Sequence, residues 1–447
     1  MHRPRFGTDA VLLAVVASTI GGCVDFGGPD RVPEAMRSDS AGIEVVLNSI
    51  AATAVPVYAT LDSVPSLHLG SLDGAPEEQF GEVNDVLPLA NGGVAVLDGQ
   101  AALIRLFDSD GAYQLTLGTR GQGPGEFQSP IALALLPGDT LAVFDAGPRR
   151  ITRFGLDGSL GRITTLNDTQ ARIVAAGFLP DGRLVGQSRW LAPGGGPLPG
   201  PELTFGRDSA VLTIFRGDGA VDDTVDVVPG RETLTSVTRS GQGFSVFRRS
   251  AAFGRTNVFT THPDGVWSSE NDRFELRLRH TEGGRLLRIV RAPGLEKAIE
   301  DDLARVIYER ALAEAETPDD RRRTEEWYAL SPRPDRQPAF DLLVADESSR
   351  LWVREWSTPG PTSRWWVFEG GGAVLGFVDV PTSLRIRSVR CEWVWGVEQD
   401  DLDVSYVVRY ALRGEGVCCC PGRGSSCGGA PQDRGLAASA SYRDCYF

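Results

Sequence analysis

Apolar and polar positions recur at a fixed interval along the first part of the chain. Phe80 and Phe127 lie 47 positions apart, and Val94-Ala95-Val96-Leu97-Asp98 returns at the same offset as Leu141-Ala142-Val143-Phe144-Asp145. Ile104-Arg105-Leu106-Phe107 is matched by Ile151-Thr152-Arg153-Phe154, and Asp110-Gly111 by Asp157-Gly158. Separate segments that keep one ungapped offset mark a structural repeat. Each unit reads as four short strands. Residues 83–89 are apolar and end at the turn Asn91-Gly92-Gly93. Residues 94–97 form a continuous apolar run, the pattern of a strand buried on both faces. Residues 102–107 and 113–117 follow after polar turns, and the last alternates as a half-exposed strand does.

Four antiparallel strands in about 40–50 residues make a β-propeller blade, a unit that buries its faces only by stacking on neighbours. Later units are degenerate but traceable. Phe178-Leu179-Pro180-Asp181-Gly182-Arg183-Leu184-Val185-Gly186 with 211–215 gives a third, and 258–278 a fourth. Residues 340–368 give a fifth, and 389–396 with 404–412 most of a sixth. The strand missing from the sixth is expected from 43–46 or 67–69, so that the two chain ends clasp and leave no open sheet edge. The expected fold is all-β, a six-bladed propeller over 42–412, with seven blades as the alternative. Six blades need roughly 240–270 residues, so insertions must absorb about a hundred. Pro193-Gly194-Gly195-Gly196-Pro197 marks one such loop.

Residues 295–330 break the β pattern. Leu295, Ile299, Leu303, Val306 and Ile307 fall at helical spacing with charges between them. Thr317-Pro318-Asp319-Asp320 then reads as an N-cap, a first-turn proline and acids that complement the helix dipole. A helical hairpin is expected, either packed on the propeller rim or closing over the channel. The surroundings of Trp327 and Tyr328 decide between the two.

The junction Gly121-Gln122-Gly123-Pro124-Gly125-Glu126-Phe127, with Ile151 to Phe154 and the Asp-Gly turns, resembles the NHL-type repeat. It is most similar to bacterial six-bladed propeller lipoproteins whose blades open with such a loop. The resemblance covers 80–165 and fades toward the C-terminus. It implies a fold and no particular chemistry.

The amino end supplies an address. Arg3 and Arg5 precede an apolar run from Ala10 to Ile20, which is the design of a secretory signal and too short for a stable membrane span. Ile20-Gly21-Gly22-Cys23 resembles a bacterial lipobox, which implies removal of 1–22 and lipidation of Cys23. Residues 23–41 then read as a tether. At the other end, Cys418-Cys419-Cys420, Cys427 and Cys445 sit among Gly, Ser, Ala and Arg with no hydrophobic period and no zinc-ligand spacing. The segment 413–447 is expected to be disordered and reads as an out-of-frame tail.

Composition narrows the function. The chain has 447 residues, 45 basic and 59 acidic, a net charge of −14 that argues against nucleic acid as a partner. Lys297 is the lone lysine, and His2, His68, His262 and His280 are the only histidines, too few for a His-built metal or catalytic site. There is no G-x-S-x-G, H-E-x-x-H or Walker loop.

Candidate groups remain. Asp98 and Asp145 at equivalent strand ends could hold a cation, or cap the turn to the next strand, the better reading. Arg120 could meet an anion at the ring face, or pair with Glu126. Trp352, Trp356, Trp365 and Trp366 could form a carbohydrate-stacking surface, though core packing explains them more simply. The sequence thus points to a membrane-anchored, exported lipoprotein of the bacterial envelope. It is read as a non-catalytic module for a protein, peptide or carbohydrate partner, with no metal and no cofactor. The rival is a metal-dependent propeller hydrolase or lactonase with a cation such as Ca²⁺ in the channel.

Overall fold

The computed structural model describes residues 34–167, 172–189, 200–241, 243–356, 359–414 and 417. The signal segment, Cys23, the loop at 193–197 and the cysteine-rich tail lie outside the described residues.

Apolar strands separated by polar turns pair here into successive four-stranded antiparallel meanders. Blade one is Val83–Pro88, Val94–Asp98, Leu103–Phe107 and Tyr113–Leu117, and blade two is Pro130–Leu136, Thr140–Asp145, Arg150–Gly155 and Leu160–Thr165. Blade three comprises Arg172–Phe178, Leu184–Arg189, Thr204–Phe215 and Val221–Ser240, with Gly243–Ser250 as a fifth strand. Blade four is Asn257–His262, Gly265–Glu270, Glu275–Arg279 and Leu286–Arg291. Blade five is Phe340–Ala345, Leu351–Glu355, Thr362–Phe368 and Val374–Pro381. Blade six has Arg385–Arg390, Trp393–Gln399 and Ser405–Arg413. The first strand of each blade touches the first strand of the next, and that of blade six returns to that of blade one. The sheets therefore close a ring, and the architecture is a β-propeller.

The core is divided among the blade interfaces, as the stacking principle requires. Leu97, Ile104, Leu141 and Val143 pack together between blades one and two. Val94, Val96, Trp395 and Val397 do the same between blades one and six. Every residue of Val94–Asp98 is buried, in line with its continuous apolar run.

Both N-terminal candidate strands are used, but in different places. Leu67–Leu69 pairs antiparallel with Ser405–Arg413 and completes blade six, aided by Thr60–Leu61. Ile43–Leu47 instead adds in parallel to Leu286–Arg291 on the outside of blade four. The tether expected over 23–41 is corrected in its described part. Met36–Ser40 is a strand, paired with Ile43–Leu47. Ala41 and Gly42, with φ of 56° and 79°, make the tight turn that lets it fold back.

The insertion forms the expected helical hairpin, α1 (Asp301–Ala313) and α2 (Pro318–Leu330). Thr317 caps α2 by accepting the Asp320 N–H at 3.1 Å. Trp327 is buried, and its Nε1 donates to the Ser250 carbonyl at 2.7 Å while the Arg249 guanidinium lies 3.8 Å from its ring centre. Tyr328 donates to the Ala304 carbonyl at 3.1 Å. Trp327 thus holds the hairpin against the fifth strand of blade three, and Tyr328 ties α2 to α1. No described helix is long and apolar enough to cross a membrane.

Candidate functional site

The matched aspartates serve the backbone. Asp98 Oδ2 accepts the Gly81 N–H at 3.0 Å, and Oδ1 accepts that of Ala101 at 2.8 Å. Asp145 accepts from Gln128 at 2.9 Å, Ser129 at 2.7 Å and Gly147 at 3.3 Å. Each carboxylate therefore ties the segment entering its blade to the turn leaving the second strand. Both residues are fully buried, and Arg105 Nη1 meets Asp98 at 3.1 Å. Their oxygens are engaged by donors, which suits a latch and not a cation site. Among the described residues, no three His, Cys, Asp or Glu side chains come together as a metal-binding group.

Arg120 is exposed and donates to the Gln100 carbonyl. Glu126 Oε2 accepts the Gly123 N–H at 2.7 Å and so shapes its own loop. The residue that holds this loop from below is one the sequence did not single out. Arg150 donates to the carbonyls of Gln122 at 3.1 Å, Gly123 at 2.9 Å and Glu126.

The tryptophan surface needs correction. Trp352, Trp365 and Trp366 have no exposure at all, because neighbouring positions in Thr362–Phe368 face opposite sides of blade five. Trp365 packs toward blade six with Trp352, and Trp366 packs toward blade four. Only Trp356 of the four reaches open space, where it lies beside Phe253 with ring centres 5.8 Å apart.

Trp356 lines a cavity of about 700 Å³ on the side of the ring formed by blades three, four and five. Strand residues Val174, Gln187, Asn257, Asp341 and Arg354 also line it. Residues 250–256, between blades three and four, form its roof. Glu232 pins that roof: it accepts the Arg255 backbone N–H at 2.9 Å and Arg255 Nε at 2.8 Å. The Ala252 N–H donates to Ser331 Oγ at 3.1 Å, which ties the roof to the end of α2.

The strand register explains why the space is on this side. The second-strand residue paired just past the first-strand register shift is Leu97 in blade one, Phe144 in blade two and Trp395 in blade six. At the same register, blades three and five carry Gln187 and Arg354, and in blade four, whose first pair has no shift, Ser269 precedes the strand-end Glu270. Leu97, Phe144 and Trp395 pack into the apolar clusters between blades, whereas Gln187 and Arg354 line the cavity. Gln187 is 5% exposed as a whole residue and lines the cavity, and no described residue hydrogen-bonds its side-chain amide, which opens onto the cavity space. Its two donors and its carbonyl are therefore available to whatever fills the cavity.

A second polar pair sits on the first strands of blades one and six. Asp85 accepts the Leu133 N–H at 3.0 Å, and burial pushes its carboxyl up despite the nearby Arg387 charge. Burial likewise lowers the Arg387 guanidinium, whose Nε is buried without a partner. The register shifts at Asn84, Ile131, Val174, Asp341 and Arg387, so the same bulge recurs on the first strand of five blades.

No known family profile matches the chain. No curated protein matches it either. Among solved structures, it is similar to a DUF4221 family member from Bacteroides vulgatus, at 11% identity and a TM-score of 0.45, covering 80% of this chain and 99% of that one. It is also similar to the RRP9 WD40 repeats, at 11% identity and a TM-score of 0.41, covering 79% and 100%. A virginiamycin B lyase from Staphylococcus aureus is similar at 12% identity and a TM-score of 0.37, covering 78% and 99%. The architecture assigned here rests on the strand register and ring closure described above.

Proposed function

We propose that this chain is a bacterial cell-envelope lipoprotein whose propeller is a non-catalytic binding module. It takes a small polar ligand in the roofed cavity of blades three to five. The observation that carries this reading is a cavity of about 700 Å³ lined by the polar side chains of Gln187, Asn257, Arg231 and Arg354 and by Trp356. That volume lies in the range of small-molecule sites, which are concave and fix their ligands with a few placed polar groups. Trp356 supplies an aromatic wall of the kind such sites use. The anchor part rests on the Ile20-Gly21-Gly22-Cys23 sequence.

Two experiments test the two parts. A thermal-shift panel of sugars, short peptides and polar metabolites should contain compounds that raise Tm, and Gln187→Leu should abolish the rise. A panel without effect, or a rise indifferent to Gln187→Leu, removes this site. Cys23→Ala should move the protein from the membrane fraction to the aqueous one, and unchanged partitioning ends the anchor assignment. The rival hydrolase needs several acids converging on one cation. Stoichiometric Ca²⁺ or Zn²⁺ in purified protein, with a chelator-sensitive Tm, would favour it.

A further inference from the structure

We infer that the cavity selects a ligand carrying a single carboxylate, with Arg231 as the group that reads it. The inference rests on the ligand-site reading above and adds the chemical class.

Three charged residues line the cavity: Arg231, Arg354 and Asp341. Arg354 Nε is engaged by Asp341 Oδ1, which cancels one positive charge. Neighbouring guanidinium groups are similarly spoken for. Arg207 meets Glu270 at 2.7 Å, and Arg255 is held by Glu232. Arg231 differs. Its one side-chain contact is a long one, Nη1 to Ser250 Oγ at 3.5 Å, and no carboxylate pairs with it among the described residues.

The lining therefore carries one uncompensated positive charge, which a monoanion neutralises and a dianion overshoots. The planar fork of arginine fits a carboxylate through two parallel hydrogen bonds. Gln187 offers two further donors and an acceptor. Asn257, also buried, spends its amide on Ser268 at 3.2 Å and keeps capacity for one more partner. Two amides suit hydroxyl or amide groups on the ligand body, and Trp356 suits its flatter face. An acidic sugar and a peptide C-terminus both have this chemistry.

Matched pairs separate charge from shape. D-glucuronate and D-glucuronamide form one pair, and N-acetyl-L-alanine and N-acetyl-L-alaninamide the other. Each is titrated into the mature protein by calorimetry, with ligand-observed saturation-transfer NMR for weak binding. At least one acid should bind tenfold or more tightly than its own amide, and the responding pair identifies a sugar or a peptide source. Arg231→Gln, at an exposed side chain, should bring that ratio to about one without moving Tm. An acid and amide that bind alike overturn the carboxylate inference. If Gln187→Leu then weakens both, the cavity reading survives without it. A preference that persists in Arg231→Gln overturns the role of Arg231. Silence from all four compounds also overturns the inference, while the cavity reading stays open to the broader thermal-shift panel.

Discussion

Blades one and two differ from blades four and five at one register position, the last residue of the second strand. In the first pair it is Asp98 or Asp145, and each folds back to grip the backbone of its own blade. In the second pair it is Glu270 or Glu355. Glu270 reaches Arg207 on the lengthened third strand of blade three, and Glu355 reaches Lys297 beside the helical insertion. A carboxylate at the same place thus closes a repeat in one half of the ring and anchors an addition in the other. The two halves divide labour: compact blades supply rigidity, and elaborated blades supply the roofed cavity.

The contrast can be broken most forcibly at Asp98. Asp98→Ala removes two backbone acceptor contacts and strands Arg105, which is 8% exposed, so a loss on the order of 3–5 kcal/mol is expected in denaturant unfolding. Asp145→Ala leaves the N–H groups of Gln128, Ser129 and Gly147 unanswered and should cost roughly 2–4 kcal/mol. A loss below about 1 kcal/mol in both would show that the latches are dispensable.

Glu270→Gln and Glu355→Gln should each cost only about 1 kcal/mol or less globally, because these pairs are partly solvated. Their signature should be local. Limited proteolysis should speed up near 298–338 for Glu355→Gln, and cleavage elsewhere should be unchanged. Global unfolding as large as that of Asp98→Ala would erase the distinction.

The smallest effect concerns pH. Asp85 has a folded pKa raised above its reference value of 3.8, mainly by burial. An acid shifted upward contributes stability that is present below the unfolded pKa and lost as pH rises through the folded one. Asp85→Asn removes that loss. Its Tm relative to the parent should therefore be higher at pH 7 than at pH 3.5, by on the order of 1–2 °C. A difference that does not change with pH would contradict the raised pKa.

Much of the architecture could be read from residues. The continuous apolar run at Val94 to Leu97, the Asp-Gly turns and the Thr317-Pro318 cap each reflect a local rule, and each became the expected element. Tertiary choices were harder. Ile43–Leu47 and Leu67–Leu69 look alike as short apolar strands, and nothing in either says that one joins blade four and the other blade six. The recurring bulge leaves no compositional trace, since the shifted residues are Asn, Ile, Val, Asp and Arg.

The cavity was the least legible part. Gln187, Arg231, Asn257 and Arg354 come from three blades and meet under a roof that only the ring positions. One clue was available. In Leu184-Val185-Gly186-Gln187-Ser188 a glutamine occupies the place that Phe144 holds in the preceding repeat. A polar residue where its counterpart is core signals either a cost or a use.

The clasp that completes blade six also sets the order of assembly. Ser66 donates to the carbonyl of Arg409, 343 positions along the chain, and Leu67–Leu69 pairs beside it. The first of these segments cannot complete its pairing until the second, 343 positions later, has been made. Until then its strand edge, and that of the final blade, stay uncovered and prone to pairing with other chains. Long-range closure of this kind is intrinsically slow, so these edges stay open until the clasp has formed.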